Sequence, residues 1–123
     1  MTGTEVLDRA LRLLGYTDSL GLPEMNGRIK SRAVAVVNAV YSDLFYLLHD
    51  HGFPGVRALK EEICLPERVL HDVMPYGVAA FLAQGESDGD QQQYFMAIYN
   101  SKRLGIAGSA QVEDVLPTVW DGE

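Results

Sequence analysis

Three carboxylates stand at every second position of the segment Glu86-Ser87-Asp88-Gly89-Asp90, which raises the possibility of a calcium loop. An EF-hand loop places a glycine at its sixth position and a bidentate carboxylate at its twelfth. Gly89 comes too early for that pattern, and the glutamines at 91–93 supply no closing carboxylate. Because Asp and Gly are frequent in turns and an Asp can cap a helix, we interpret the segment as a capped turn between two helices.

The histidines and the single cysteine lack the spacing of a metal centre or of a catalytic site. His49 and His51 are two residues apart, so at a helix end they point to different sides. His71 has no partner that the sequence identifies, and we interpret it as a surface residue. Cys64 stands between two large aliphatic residues, and we expect it to be a small buried hydrophobic side chain rather than a nucleophile.

The sequence carries neither a glycine-rich phosphate loop nor a dinucleotide-binding fingerprint, and we expect no G-x-S-x-G nucleophile elbow. We therefore expect no metal, no cofactor and no catalytic residues, and we predict that the protein is not an enzyme.

The composition is that of one globular domain. The chain has 123 residues, of which 47% are hydrophobic and 22% are charged, and single domains cluster at roughly 100–150 residues. The start of the chain has no basic and apolar leader, and no apolar run reaches the ~20 residues of a membrane span. We expect neither a signal peptide nor a transmembrane helix.

The net charge of −7 argues against tight binding to nucleic acid, because Lys and Arg supply the affinity for the phosphate backbone. Such a surface would let DNA pass without trapping it. The aromatic residues Tyr94, Phe95 and Tyr99 could stack on bases, but at helical spacing on an acidic protein we expect them in the core.

Helical spacing of apolar residues dominates the first half of the chain. The segment Thr2-Gly3-Thr4-Glu5 predicts a capping box before a helix of about three turns, which Gly15 ends. A second helix at least five turns long is predicted to end after Leu48 and to begin at Pro23 or at Asn26.

The middle of the chain is less regular. Residues 56–65 show neither alternation nor a helical face, and we predict a mostly extended segment. Pro75 inside a helix would remove a hydrogen bond and clash with the preceding turn. We therefore predict a short helix over 67–73, a stop or kink at Met74, and another helix from Pro75 to about Gln84.

The last long helix is predicted to start in the acidic turn and to end at Gly105 or Gly108. Beyond it Pro117 opposes a helix, so we divide the chain into a helical domain at 1–108 and an extended or flexible tail at 109–123. The predicted fold is all-α: a small bundle of four to five helices with a long central helix, one extended segment and an extended C-terminal tail.

Two surfaces are candidates for contact with other subunits. The apolar arc of the second helix is wide enough to face both its own core and a neighbour, and Val34, Tyr41 and Phe45 are its candidate interface residues. In the tail, Trp120 could dock on a neighbouring subunit or a partner. The tail could equally fold back on its own domain or stay disordered.

The chain resembles the small head–tail connector (adaptor) proteins of tailed bacteriophages and prophages. The resemblance lies in the pattern of apolar positions and turns over residues 5–105, and above all in the segments Leu65-Pro66-Glu67, Asp72 to Ala79, Glu86 to Asp90 and Tyr94 to Arg103. The opening Ala10 to Tyr16 and the stretch Asn38 to Leu48 also fit.

This resemblance implies a mainly α-helical protomer that joins other copies as a ring beneath the portal protein of the DNA-filled head. The ring would extend the DNA channel without binding DNA specifically, and would offer a docking surface to the tail or to a stopper protein. It implies no catalysis and no cofactor. The expected location is the virion, with assembly in the cytoplasm of the host bacterium.

Other functions compete with this one. A different neck or tail-completion protein of the same particle would have a similar composition. A bacterial helical domain that regulates a partner belongs to another class, and an enzyme comes third.

Overall fold

The computed structural model describes residues 1–121, with the side chains of residues 1–106. The helices are α1 (Gly3–Leu14), α2 (Gly27–Leu48), α3 (Glu67–Asp72), α4 (Met74–Gly85) and α5 (Gly89–Asp121). Over residues 1–121 the only β pairing consists of two isolated bridges, Thr2 with Glu62 and Thr17 with Pro23. The prediction of a small all-α bundle is confirmed.

The predicted ends of α1 are confirmed. The Thr2 hydroxyl accepts from the Glu5 amide at 3.3 Å, and the Glu5 carboxylate accepts from the Thr2 amide at 3.1 Å, which is a capping box. At the other end Gly15 has φ 76°, and its amide donates back to the last turn of α1. A left-handed residue of this kind is the usual helix stop.

The long helix α2 begins at the later of its two predicted starts. The Asn26 side chain accepts from the Ile29 amide at 2.9 Å and caps the helix, whereas Pro23 lies in the loop before it. The helix ends with Leu48, as predicted, and the His49 amide donates to the Phe45 carbonyl at 2.9 Å.

The break predicted at Pro75 is also present. Val73, with φ −119° and ψ −54°, ends α3 and precedes Met74, the first residue of α4. Pro75 is the second residue of α4, and the first turn of a helix does not use its N–H groups. The proline therefore starts a helix at no cost in hydrogen bonds.

The segment predicted as extended is an irregular loop held by side chains. The Asn38 side chain of α2 accepts from the Val56 amide at 2.8 Å and donates to the Val56 carbonyl at 2.7 Å. Glu61 accepts from the amides of Arg57 and Ala58 at 2.8 and 2.7 Å. These side chains provide the hydrogen bonds that a neighbouring strand would otherwise supply.

Helix α5 is longer than predicted. Its backbone is helical through Asp121, past Gly105 and Gly108. The extended alternative for the tail at 109–123 therefore differs from the structure over 109–121, whereas the flexible alternative stays a prediction. A single glycine costs only about 1 kcal/mol in a helix. Pro117, which was expected to oppose a helix, also lies within α5.

Helix α4 lies at the centre of the fold and packs on the other four helices. Its residues Val78, Ala79, Ala80, Leu82 and Ala83 are completely buried. Gly77 is the point of closest approach. A Cβ atom built there would lie 2.7 Å from the Tyr99 ring of α5 and 2.9 Å from Val40 Cγ1 of α2. The absence of a side chain at Gly77 lets three helices meet.

We expect Gly77→Ala to destabilise the protein by about 1–3 kcal/mol, because the added methyl group overpacks a closed core. Urea unfolding followed by circular dichroism measures this. Gly105→Ala is the matched control: a Cβ there meets nothing within 4 Å, so alanine should raise the stability by about 0.5–1 kcal/mol. Equal effects at both positions would contradict the packing at Gly77.

Candidate interaction surfaces

Two of the predicted interface residues belong to the core of the protomer itself. Tyr41 is 0% exposed and Phe45 is 7% exposed, and their rings meet edge to face at a centroid distance of 6.2 Å. The Tyr41 hydroxyl accepts from the Cys64 amide at 2.9 Å. The assignment of Tyr41 and Phe45 to a subunit interface is therefore wrong. Val34 is half-buried and stays a prediction, and the Trp120 side chain lies outside the described residues.

Their burial depends on the loop that follows α2. The Phe53 ring packs on Tyr41 at 4.9 Å and on Phe45 at 5.8 Å, centroid to centroid. The loop is anchored by the two Asn38 hydrogen bonds described above. The wide apolar arc of α2 thus faces two parts of one protomer. Asn38 is a polar residue on α2. In the sequence it could have indicated that a loop with unpaired backbone groups packs on this part of the helix.

The acidic segment between α4 and α5 is the predicted capped turn. Asp88 Oδ1 accepts from the Gln91 amide at 3.5 Å, and the Asp88 carbonyl accepts from the Gln92 amide at 2.9 Å, which starts α5. The Gln91 side chain and the Tyr16 hydroxyl both donate to Asp88 Oδ2, at 2.8 and 3.4 Å. Asp88 therefore both starts α5 and ties it to the chain just after α1.

Glu86 joins the same turn to the start of α2. Its side chain is 11% exposed and accepts two hydrogen bonds from the Arg28 guanidinium, at 3.1 and 3.0 Å, and a further one from the side-chain amide of Asn26. These hydrogen bonds from Arg28 and Asn26 hold the pKa of Glu86 below its usual range. The carboxylate stays ionised at neutral pH and acts as a structural link.

The turn also contains the sequence pattern of a nucleophile elbow, contrary to expectation. Residues Gly85-Glu86-Ser87-Asp88-Gly89 read G-x-S-x-G, and Ser87 has φ 57°, as a strained nucleophile would. In hydrolases that pattern joins a strand to a helix and its serine bonds a histidine. Here it joins two helices, and none of the hydrogen bonds among residues 1–106 links Ser87 to a histidine. The pattern alone carries no catalytic assignment.

An ion pair fixes α5 on α2 farther along the bundle. The Arg103 guanidinium donates to both oxygens of Asp43 at 2.8 Å, and the Tyr99 hydroxyl donates to Asp43 Oδ2 at 2.6 Å. Burial tends to raise the pKa of Asp43, but the hydrogen bonds from Arg103 and Tyr99 outweigh it and lower that pKa. Burial and the neighbouring carboxylate raise the pKa of Tyr99, which keeps its proton as a donor.

The remaining candidate residues are dispersed. His49, His51 and Cys64 are all exposed, so the predicted burial of Cys64 is wrong. Its backbone reaches Tyr41 while its side chain points to solvent. Across the described residues no three His, Cys, Asp or Glu side chains are placed to hold a metal ion.

The three aromatic residues of α5 divide between core and surface. Phe95 and Tyr99 are buried, as predicted, whereas Tyr94 is exposed. Tyr94 keeps an edge-on contact with Phe95 at 5.1 Å between centroids.

Some large apolar side chains remain on the surface. Among the described side chains these are Leu13, Leu20, Leu22, Tyr46, Tyr94 and Leu104. Leu20 and Leu22 lie in a loop that is well ordered by hydrogen bonds: Asp18 Oδ1 accepts from their amides at 2.8 and 3.0 Å, and the Asp18 amide donates to the Leu22 carbonyl at 2.9 Å. Hydrogen bonds of Asp18 therefore hold the backbone that carries both leucines.

Comparisons leave the family open. No family model, curated protein or solved structure matches the chain. Among the described helices none is long and apolar enough to cross a membrane.

We expect Asp43→Asn to cost about 1 kcal/mol at neutral pH, a modest value because the Asp43 side chain is 38% exposed. A carboxyl with a lowered pKa stabilises the fold above its unfolded value of 3.8 and loses that contribution as pH falls further. The difference in the free energy of unfolding between wild type and variant, measured by urea unfolding, should therefore shrink below about pH 4. Asp50→Asn, at an exposed position, is the control; a gap that does not change with pH would refute the ion-pair account.

Proposed function

We propose that the chain is a structural protein of tailed-bacteriophage particles that forms a ring at the portal vertex and joins the head to the tail. The features on which the resemblance rests support this: the break at Pro75, the small-residue helix after it and the capped turn at Glu86–Asp90 are all present in the fold. In this function the protein has no catalytic role.

The observation that carries the proposal is the exposure of Leu20 on an ordered loop. Single exposed leucines are common on protein surfaces. Leu20 is 81% exposed although Asp18 fixes the backbone on both sides of it. A rigid loop that presents a leucine loses little conformational entropy on binding, which favours a contact with another protein.

A second apolar position lies elsewhere on the protomer. The Gln91 side chain donates to the Leu14 carbonyl at 3.2 Å, so α5 begins near the end of α1 and the Leu20 loop. Leu104 is 67% exposed and lies about 20 Å farther along α5 at 1.5 Å per residue. Two different surfaces on one protomer permit a heterologous contact, and such contacts close into a ring when the rotation per subunit fits.

The charge of the chain suits a position around a DNA channel. With 17 acidic and 10 basic residues, the surface would repel the passing duplex, so that DNA moves through without specific binding. The partners in this proposal are further copies of the chain, the portal protein, and a tail or stopper protein. Assembly would occur in the host cytoplasm, and the finished ring would reside in the virion.

Negative-stain imaging of the chain mixed with the portal protein encoded beside it tests the proposal. A connector adds a ring at the narrow end of the portal. Another neck protein would bind only after further proteins have been added. Absence of binding to portal, tail and stopper proteins alike would contradict the virion function and favour a regulatory helical domain.

We expect Leu20→Asp to leave the fold intact and to reduce ring addition by about tenfold, since a buried leucine contributes about 1.5–3 kcal/mol. The fold is checked by circular dichroism, and ring addition by counting decorated portals. Ser19→Asp places the same charge on the neighbouring exposed residue and should leave ring addition unchanged. Equal loss with both variants would show that charge near this loop, rather than the leucine, matters.

A further inference from the structure

A groove with a basic and apolar lining lies between α1 and the junction of α3 and α4. Its volume is about 270 Å³, and its lining residues are Arg9, Arg12, Leu13, His71, Pro75 and Tyr76. Lys102 of α5 adds a further positive charge, with Nζ 5.1 Å from the centre of the Tyr76 ring. Two arginines thus line the groove, and Lys102 lies beside it over the Tyr76 ring.

The two arginines of this groove are available to a ligand. Among residues 1–106 the ion pairs are those of the Met1 amino group with Glu62, Arg28 with Glu86, and Arg103 with Asp43. Neither Arg9 nor Arg12 takes part in one. The Arg12 guanidinium makes a long hydrogen bond to the Gly21 carbonyl at 3.4 Å, and both arginines are exposed. The groove therefore suits an anionic segment with apolar residues.

The chain itself contains such a segment. Residues 104–123 hold four acidic residues, Glu113, Asp114, Asp121 and Glu123, and no Lys or Arg. They contribute −4 of the net charge of −7. The same segment also contains the large apolar residues Leu116 and Trp120, four positions apart in the sequence. Charge and apolar character both complement the groove.

We propose that the groove binds residues 113–121 of a second copy of this chain, with Arg9 and Arg12 facing Glu113 and Asp114. The inference rests on the proposed function, in which copies pack side by side, and it names one contact between them. It is a heterologous contact, since the groove of one copy receives the α5 end of the next.

The direction of α5 favours binding of its end to the groove of a second copy over binding to the groove of the same copy. Lys102 lies over the ring of Tyr76, which lines the groove, and the backbone of α5 is helical through Asp121. At 1.5 Å per residue Trp120 lies about 27 Å along the helix axis from Lys102. A continuous helix carries the acidic segment away from its own groove, where a neighbour can receive it.

A labelled peptide of residues 107–123, titrated against the full chain by fluorescence anisotropy, tests the contact directly. We expect binding that weakens as salt rises and that falls about tenfold in Arg9→Glu/Arg12→Glu, which equals about 1.4 kcal/mol. Lys30→Glu/Lys60→Glu makes the same change of charge at exposed positions and should leave binding intact. No binding at millimolar peptide, or equal loss in both variants, would overturn the proposal.

Charge exchange shows whether the contact joins two copies. We expect a peptide carrying Glu113→Lys and Asp114→Lys to bind the Arg9→Glu/Arg12→Glu chain better than the wild-type chain. In a Cys64→Ser background, Arg9→Cys chains mixed with Asp114→Cys chains should form a disulfide-linked dimer. A disulfide that forms only within chains carrying both cysteines would show an intramolecular contact and overturn the two-copy arrangement.

The portal imaging separates this inference from the proposed function. A ring that still forms with Arg9→Glu/Arg12→Glu would refute the groove contact as the one that joins neighbours in the ring, and would leave the connector proposal standing. Peptide binding with the expected charge exchange, but no ring at the portal, would refute the connector proposal and leave the groove contact standing.

Discussion

The close approach of three helices at Gly77 is the constraint on which this fold depends. Without a Cβ atom at that position, the Tyr99 ring of α5 and Val40 of α2 can both reach the backbone of α4. Ala79, Ala80 and Ala83 then continue the small-residue surface along the same helix, and all three are completely buried. Interiors are packed as densely as organic crystals, so a central helix with short side chains draws its neighbours inward and fixes their distances.

Polar contacts then fix the angles between helices that this packing brings together. Among the described residues the core contains no buried charged or polar residue. The polar contacts that select one arrangement of the helices therefore lie at the edge of the core. Glu86 holds the start of α2 and Asp88 holds the chain after α1, whereas Asp43 fixes α5 through Tyr99 and Arg103. Each carboxylate is met by two or more donors, which lessens the cost of its partial removal from water.

Arg32 completes this arrangement at the end of α4. Its Nη2 donates to the Phe81 carbonyl at 3.2 Å, and its Nη1 is buried without a hydrogen-bond partner among the described residues. A Cβ atom at Gly85 would lie 1.6 Å from that nitrogen. The guanidinium of Arg32 thus occupies the space that a side chain at Gly85 would fill.

Local signals in the sequence predicted the helices, and non-local contacts decided what the sequence could not predict. The capping box at Thr2, the stop at Gly15 and the break at Pro75 each involve residues within four positions of one another, so the sequence contains the whole interaction. The burial of Tyr41 and Phe45 instead depends on Phe53 and on the hydrogen bonds of Asn38 to Val56, which are 18 positions apart. Hydropathy could show that α2 has two apolar faces, but not that both are covered within one chain.

The burial of Tyr41 and Phe45 limits the kind of assembly that the proposed function allows. If Tyr41 and Phe45 were exposed, subunits would share a large apolar core and each would need its neighbour to fold. With both rings inside, the protomer completes its own core. Contacts between copies are then left to exposed leucines and charged side chains, as in interfaces between proteins that fold before they associate. Such contacts are individually weak, so under the proposed function a ring would gain its stability from many repeated contacts.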